Sequence, residues 1–209
     1  MDKKAEIRLA IKEYFLSPEG KTAIQRAENL QKDGNYCKKF LNKIPCYEKA
    51  KTILAYYPLK EEFPTLGLLN RAASDGKTIA LPVVTGKDLI FKKVNFVNGN
   101  IEPVIKGCFG ILEPSEKAEP IFYTNGNTSE INGDILPLII LVPGRAFGKK
   151  GERLGRGGGF YDRFLKKLFQ CVDKNSVALI GICFSGQITD GIPMEEFDYF
   201  VNSVLTEEL

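Results

Sequence analysis

The stretch "TILAYYPLKEEFPTLGLLNRAASDGKTIALP" (Thr52–Pro82) decides the fold. It opens on a short, β-rich apolar run that ends at Pro58. It continues through "TLGLLNRAASDGK", whose apolar spacing is helical and whose stop signal is Gly76. It closes on a second apolar run, "TIALP". Strand, helix and strand within about thirty residues make a βαβ unit, and such a unit requires a parallel sheet.

Outward from that unit, the most apolar run in the chain is "LPLIILVP" (Leu136–Pro143), which reads as a central strand buried on both faces. "SVALIGICF" (Ser176–Phe184) reads as another buried strand and "YFVNSVLT" as a terminal one. "DLIFKKVNFV" and "EPVIKGCFGILEP" are strand material broken by Gly and Pro. Near the N-terminus, Ile7, Ile11, Tyr14 and Phe15 share one face of a helix over Lys3–Leu16. In "SPEG", Ser17 is placed to cap a second helix and Pro18 to begin it. That helix is expected to run to about Asp33, with Gly34 stopping it. The polar segment Tyr123–Asp134 has no periodicity and reads as a loop. "FYDRFLKKLF" spaces Phe160, Phe164 and Leu168 as a helix does. No repeat or linker divides the chain. The expectation is one α/β domain over residues 1–209, a layered sandwich with a mostly parallel central sheet flanked by helices.

Whole-chain properties exclude several function classes. The 209 residues contain no histidine, so Ser-His-Asp triads, Cys-His pairs and histidine-ligated zinc are ruled out. Chemistry must then rest on carboxylates, tyrosine, lysine, water and electrostatic positioning. A formal charge of +3 is too small to argue for nucleic acid by itself, and no run approaches a membrane span. The N-terminus is amphipathic and carries acids, unlike a signal peptide, which points to the cytoplasm. Five cysteines (Cys37, Cys46, Cys108, Cys171 and Cys183) show no CxxC pair and read as reduced, mostly packing thiols. The sequon at Asn127 is a chance match.

Between the central strand and the "FYDRFL" helix lies a long loop, Pro143–Gly159. It carries Arg145, Lys149, Lys150, Arg153 and Arg156 and ends in "RLGRGGGFYD". Strand, glycine-rich loop and helix N-terminus form an anion site, since bare backbone N–H groups can close around phosphate. The Walker A spacing is absent, and "GRGGGF" has Phe160 where a dinucleotide fingerprint needs glycine. The alternative is a solvated basic turn. Asp162 is either a Mg²⁺ ligand beside phosphates or a charge complementing the helix dipole.

"LVPGRAFGKKGERLGRGGGFYDRFL" (Leu141–Leu165) closely resembles the signature of the 5-formyltetrahydrofolate cyclo-ligase (methenyltetrahydrofolate synthetase) family. Four further elements resemble that family in order: Lys4-x-x-Ile7-Arg8, "EEFPT" (Glu61–Thr65), "GCFGILEP" (Gly107–Pro114) and "PMEEFD" (Pro193–Asp198). The resemblance implies an α/β sandwich and a ligase using ATP and Mg²⁺ to convert 5-formyltetrahydrofolate, free or polyglutamylated, to 5,10-methenyltetrahydrofolate. ADP and phosphate are released through an iminium phosphate. It implies no membrane or nucleic-acid partner, and a monomer or weak homo-oligomer.

Residue by residue, the resemblance implies ATP binding by Lys4 and Arg8, which otherwise read as a cationic helix face. It implies a nucleotide loop of Arg153, Leu154, Gly155, Arg156, Gly157, Gly158, Gly159, Phe160 and Tyr161. Arg156 is the implied catalytic cation between ATP and the formyl oxygen. Asp162 and Asp198 are the implied metal carboxylates. Glu62, otherwise a helix-start acid, is the implied pterin ligand, and Tyr161 either lines the site or packs the core. The chain departs from the family pattern at Gly148 (usually Asp), Val83 (often Arg), Phe197 (often His), Gly158 and Phe160. Those at Gly148 and Val83 motivate an alternative, a folate-binding protein with weakened catalysis. A ligase or kinase for another small acid fits "EEFPT" less well.

Overall fold

The computed structural model describes residues 2–208 apart from 103, 108, 109, 126, 127 and 132. Helices α1 (Lys3–Leu16), α2 (Pro18–Leu30) and α3 (Gly34–Asn42) precede β1 (Thr52–Leu54), α4 (Leu66–Ser74) and β2 (Thr78–Thr85). β3 (Asp88–Val97), β4 (Asn100–Glu102), β5 (Val104–Lys106) and β6 (Leu112–Pro114) follow, then β7 (Phe122–Asn125) and β8 (Thr128–Ile131). β9 (Leu138–Val142), β10 (Ala146–Phe147), β11 (Arg153–Leu154), α5 (Phe160–Leu168), β12 (Val177–Ile182) and β13 (Ser203–Leu205) complete the chain.

Seven strands form the main sheet in the order β13-β12-β9-β1-β2-β3-β4. The five from β13 to β2 are parallel, with Ile53 opposite both Ile79 and Ile139 and Leu179 opposite Ile140. β3 and β4 extend the sheet antiparallel. The βαβ unit at Thr52–Pro82 and the central strand in "LPLIILVP" stand as expected. Alternate residues of each strand enter different cores. Ile53, Ile139, Leu141 and Ile180 face α1–α4, while Leu54, Leu138, Ile140 and Leu179 face α5. Burial on both faces explains why the strands are nearly continuous hydrophobic runs. Each fully buried aliphatic side chain contributes about 1.5–3 kcal/mol.

The chain places β2 on one side of β1 and later β9 on the other. The gap between the carboxyl ends of β1 and β9 is therefore a topological switch point, where open α/β sheets bind ligands. β1 runs out into the segment holding Glu61 and Glu62, and β9 into the glycine-rich segment. Buried Gln187 fastens the start of the latter by donating to Gly144 O and Arg145 O, both at 3.0 Å.

Several expectations are corrected. Gly34 does not stop α2; it opens α3, because the Asp33 side chain caps the N–H groups of Asn35 and Tyr36. The Tyr123–Asp134 loop is a β7–β8 hairpin in register Phe122↔Ile131, set by backbone pairing that side-chain polarity does not announce. Pro143–Gly159 is not one open loop, since β10 and β11 pair within it. Of the four described cysteines, Cys37 and Cys183 are buried, but Cys46 and Cys171 are exposed, so only half pack. Cys108 and Asn127 lie outside the described residues. Among the described residues, no helix is long and apolar enough to cross a membrane.

Candidate active site

Ion pairs gather the site at the switch point. Arg156 Nε donates to Glu62 Oε1 at 3.0 Å, and the second Glu62 oxygen accepts from Leu59 N–H at 3.0 Å. The Glu62 side chain is only 10% exposed, whereas Arg156 is 40% exposed. Arg145 pairs with Glu61 beside them. Arg153 Nη2 meets Asp162 Oδ1 at 2.6 Å, and its guanidinium sits 5.8 Å from the centre of the Tyr161 ring.

Helix α1 brings its first turns to the same place. Lys4 Nζ lies 2.8 Å from both Asp198 Oδ2 and Glu195 Oε1. Arg8, one turn on, donates from Nε to Gly155 O at 3.0 Å. Burial alone would raise the Asp198 carboxyl. The hydrogen bonds from Lys4 and the Glu195 N–H, with the charges of Lys4 and Arg153, outweigh burial and hold it below its usual range. Burial likewise works against charged Lys4, but its two carboxylate partners win and raise it. Asp162 and Asp198 line one cleft of about 870 Å³.

The glycines have separable reasons. Gly157 (φ +97°) and Gly159 (φ +65°) adopt the left-handed backbone that side chains disfavour. At Gly158 an added Cβ would lie 2.8 Å from the Phe160 ring, so the two departures from the family pattern at 158 and 160 occur together. Gly159 caps α5 with no side-chain hydrogen bond. Leu154 is buried and offers only backbone, its carbonyl accepting from Arg145 N–H at 2.6 Å.

Tyr161 is neither freely exposed nor a simple core residue. Its ring meets Phe91 edge-on at 6.5 Å, and its hydroxyl is buried with no hydrogen-bond partner among the described residues. Burial, then the charge of Glu62, pushes the phenol well above its usual range, so it is held as a neutral donor.

Not every expected residue converges. Lys149 and Lys150 are exposed, and Lys149 makes a 3.8 Å contact with exposed Asp190, so solvent takes two of the five loop cations. Val83 is half-buried opposite Ile90 in β3. Phe197 is exposed under Lys166, 5.6 Å away. At Gly148 an added Cβ would fall 2.2 Å from Glu152 Oε2, so the Glu152 carboxylate fills the space of the acid missing there. Sequence reasoning missed Glu195, Arg145–Glu61 as a pair and Arg163. For Glu195 the "PMEEFD" run was the available signal; the pairing of Arg145 with Glu61 had none.

Glycine backbone, arginines and a helix N-terminus meet at the switch point of a parallel sheet, the arrangement of an open α/β protein with a crevice suited to an anion. Residues 1–207 match the model of the 5-formyltetrahydrofolate cyclo-ligase family, and the chain belongs to that family. It is 37% identical over 161 residues to the Saccharomyces cerevisiae 5-formyltetrahydrofolate cyclo-ligase, covering 70% of each chain. It is 30% identical over 153 residues to the Haemophilus influenzae enzyme of that name, covering 72% of each. The NMR structure of Aquifex aeolicus 5,10-methenyltetrahydrofolate synthetase superposes with a TM-score of 0.65 at 25% identity, covering 99% of this chain and 90% of that one. The Mycoplasma pneumoniae synthetase, at 19% identity and a TM-score of 0.61 over the whole of both chains, supports the fold. The chain is thus an enzyme of the 5-formyltetrahydrofolate cyclo-ligase type.

Proposed function

We propose that the chain converts 5-formyltetrahydrofolate to 5,10-methenyltetrahydrofolate with ATP and Mg²⁺, releasing ADP and phosphate. One observation carries the reading: the 3.0 Å contact of Arg156 with Glu62, which joins the glycine loop to the "EEFPT" segment. A cation suited to a transferring phosphoryl group stands beside a carboxylate suited to the two N–H groups of an aminopyrimidine edge.

A formyl amide is a poor electrophile with a poor leaving group. The γ-phosphoryl passes to the formyl oxygen, the new O–P bond forming as the bond to ADP breaks. The neighbouring folate nitrogen then attacks the formyl carbon, and the C–O bond breaks to expel phosphate with that nitrogen's proton. Such a sequence needs alignment and charge neutralisation more than a titrating base, which suits a chain without histidine. Arg156 neutralises the phosphoryl group, Arg153–Tyr161 provide the loop, and Lys4 and Arg8 add cations from α1. Glu62 orients the pterin, and the neutral Tyr161 hydroxyl is a donor at the folate side. Asp162 and Asp198 share one cleft and fit a hard cation that takes one or two carboxylates plus phosphate oxygens. Asp162 and Asp198 would hold Mg²⁺, which would supply charge neutralisation at the phosphates.

The test is purified protein with ATP, Mg²⁺ and 5-formyltetrahydrofolate, watched for methenyl product in the near ultraviolet. ATP-dependent product is expected, and Arg156→Ala should fold normally while losing roughly 10²–10³ in turnover. Folate bound without product would instead establish the binding-protein alternative.

A further inference from the structure

Arg163 lies in the first turns of α5, where a cation opposes the positive end of the helix dipole. Its partners explain its place. Nε and Nη2 donate to Lys87 O at 2.9 and 2.5 Å, and Nη2 also donates to Gly158 O at 2.9 Å. The Phe160 ring supports the guanidinium at 5.2 Å, and a Cβ on Gly159 would lie 2.6 Å from Nη1. Lys87 sits in the turn between β2 and β3, and that turn is a fixed abutment. Lys167 pairs with Asp88 at 2.8 Å, and Phe91 of β3 packs on Phe164 of α5 at 4.6 Å.

Three consecutive glycines have more backbone freedom than any other tripeptide, so their N–H groups aim at one point only if something outside the loop holds them. A trans peptide is planar, with C=O and N–H pointing in opposite directions. Fixing the Gly158 carbonyl therefore fixes the Gly159 N–H. We infer that Arg163 is a positioning residue for the nucleotide loop: by holding Gly158 O against the Lys87 abutment, it turns the Gly159 N–H to the opposite side, toward the phosphates of a nucleoside triphosphate. Arg8 does the same upstream, where its bond to Gly155 O sets the direction of the Arg156 N–H. Gly157, at φ +97°, takes the reversal between the two held peptides. The inference rests on the proposed use of this loop for ATP. It adds that the loop's donors are preorganised by Arg163, acting on carbonyls rather than on the anion, and by the Nε of Arg8.

Arg163→Ala and Arg163→Lys, assayed with ATP and 5-formyltetrahydrofolate and melted thermally, test it. In Arg163→Ala, kcat/KM for ATP should fall between about ten- and a hundredfold, while KM for the folate stays within about twofold. A non-hydrolysable ATP analogue should bind correspondingly more weakly by calorimetry, with the melting temperature nearly unchanged. Lysine keeps the charge but lacks the planar fork that sets Nε and Nη2 on Lys87 O and Gly158 O together, so it should rescue only part. Unchanged ATP kinetics would overturn the inference. So would full rescue by lysine, which means a charge effect, or both KM values rising with a falling melting temperature, which means a structural one. If Arg163→Ala does not fold, Arg163→Lys decides alone by the same split. Wild-type protein without ATP-dependent turnover would instead defeat the functional reading beneath.

Discussion

Asp162→Ala should destabilise the chain by more than a half-exposed carboxylate normally does, because of what it leaves behind. The Arg153 side chain is 6% exposed and Asp162 is 23% exposed. Beyond the 2.6 Å bond to Asp162, the guanidinium has a long 3.4 Å contact to Pro143 O. Removing one partner of a buried pair costs about 3–5 kcal/mol, since the other charge stays buried. Asp162's own exposure lowers that, and so does Asp198, whose carboxyl already feels the Arg153 charge and can take part of it. A loss of about 2–3 kcal/mol remains. At about 2–4 °C per kcal/mol for a chain of this length, the melting temperature should fall by about 4–12 °C. Circular-dichroism melts and urea titration of Asp162→Ala, Arg153→Met and the double variant give the cycle. The double variant should recover much of the loss, because an apolar residue of similar length removes the stranded charge. A shift below about 1 °C in Asp162→Ala, or a double variant worse than the sum of the singles, would refute the reasoning.

The Lys4–Asp198 pair predicts a pH window. Asp198 titrates below 3.8, so its contribution is present above that value and is lost as pH falls through the lower folded one. Lys4 titrates above 10.5, so its contribution is present below that value and is lost as pH rises through the higher folded one. The melting-temperature gap between wild type and Lys4→Met should thus be constant from about pH 5 to 10 and close at both ends; a gap that grows in acid would contradict it. Two glycines predict opposite signs. Gly67→Ala puts a Cβ 2.1 Å from the Gln31 backbone carbonyl and should cost about 1–3 kcal/mol by overpacking. Gly34→Ala meets nothing within 4 Å and should stabilise by about 0.4–1 kcal/mol. Chemical denaturation of both variants checks the pair, and equal effects would sink the distinction.

The main sheet was readable because burial on two faces leaves an unambiguous apolar record. "LIILV" in β9 is buried at every position, and the β1–α4–β2 unit is marked by Pro58 and Gly76. Reading failed where one residue type serves two opposite ends. Gly34 is as good after a helix as before one, and only the Asp33 cap decides which. The β7–β8 hairpin was hidden because its pairing uses backbone groups common to all residues. In the site, the residue types were visible and their partners were not. Glu62 and Arg156 are 94 positions apart and Lys4 and Asp198 are 194 apart, distances over which no local pattern operates. Lys149 and Lys150 were counted with the loop because charge counts ignore direction, and the β10–β11 hairpin turns them to solvent.

The pairing of nearly every charge in the crevice has a consequence for how this site can work without histidine. Glu61, Glu62, Asp162 and Asp198 each hold a cation, so the arginines are neutralised and oriented by protein groups rather than by water. In the proposed phosphoryl transfer, such charges would need little reorganisation as charge develops between them, which is where electrostatic catalysis gains most. The same contacts carry folding free energy, because each stranded partner would sit in a poorly hydrated crevice. Deleting a member therefore confounds the two roles. Asp162→Asn keeps shape and an acceptor for Arg153 while removing the charge that the proposed metal would need, so it should cost less stability than Asp162→Ala and, on that proposal, still lose the activity.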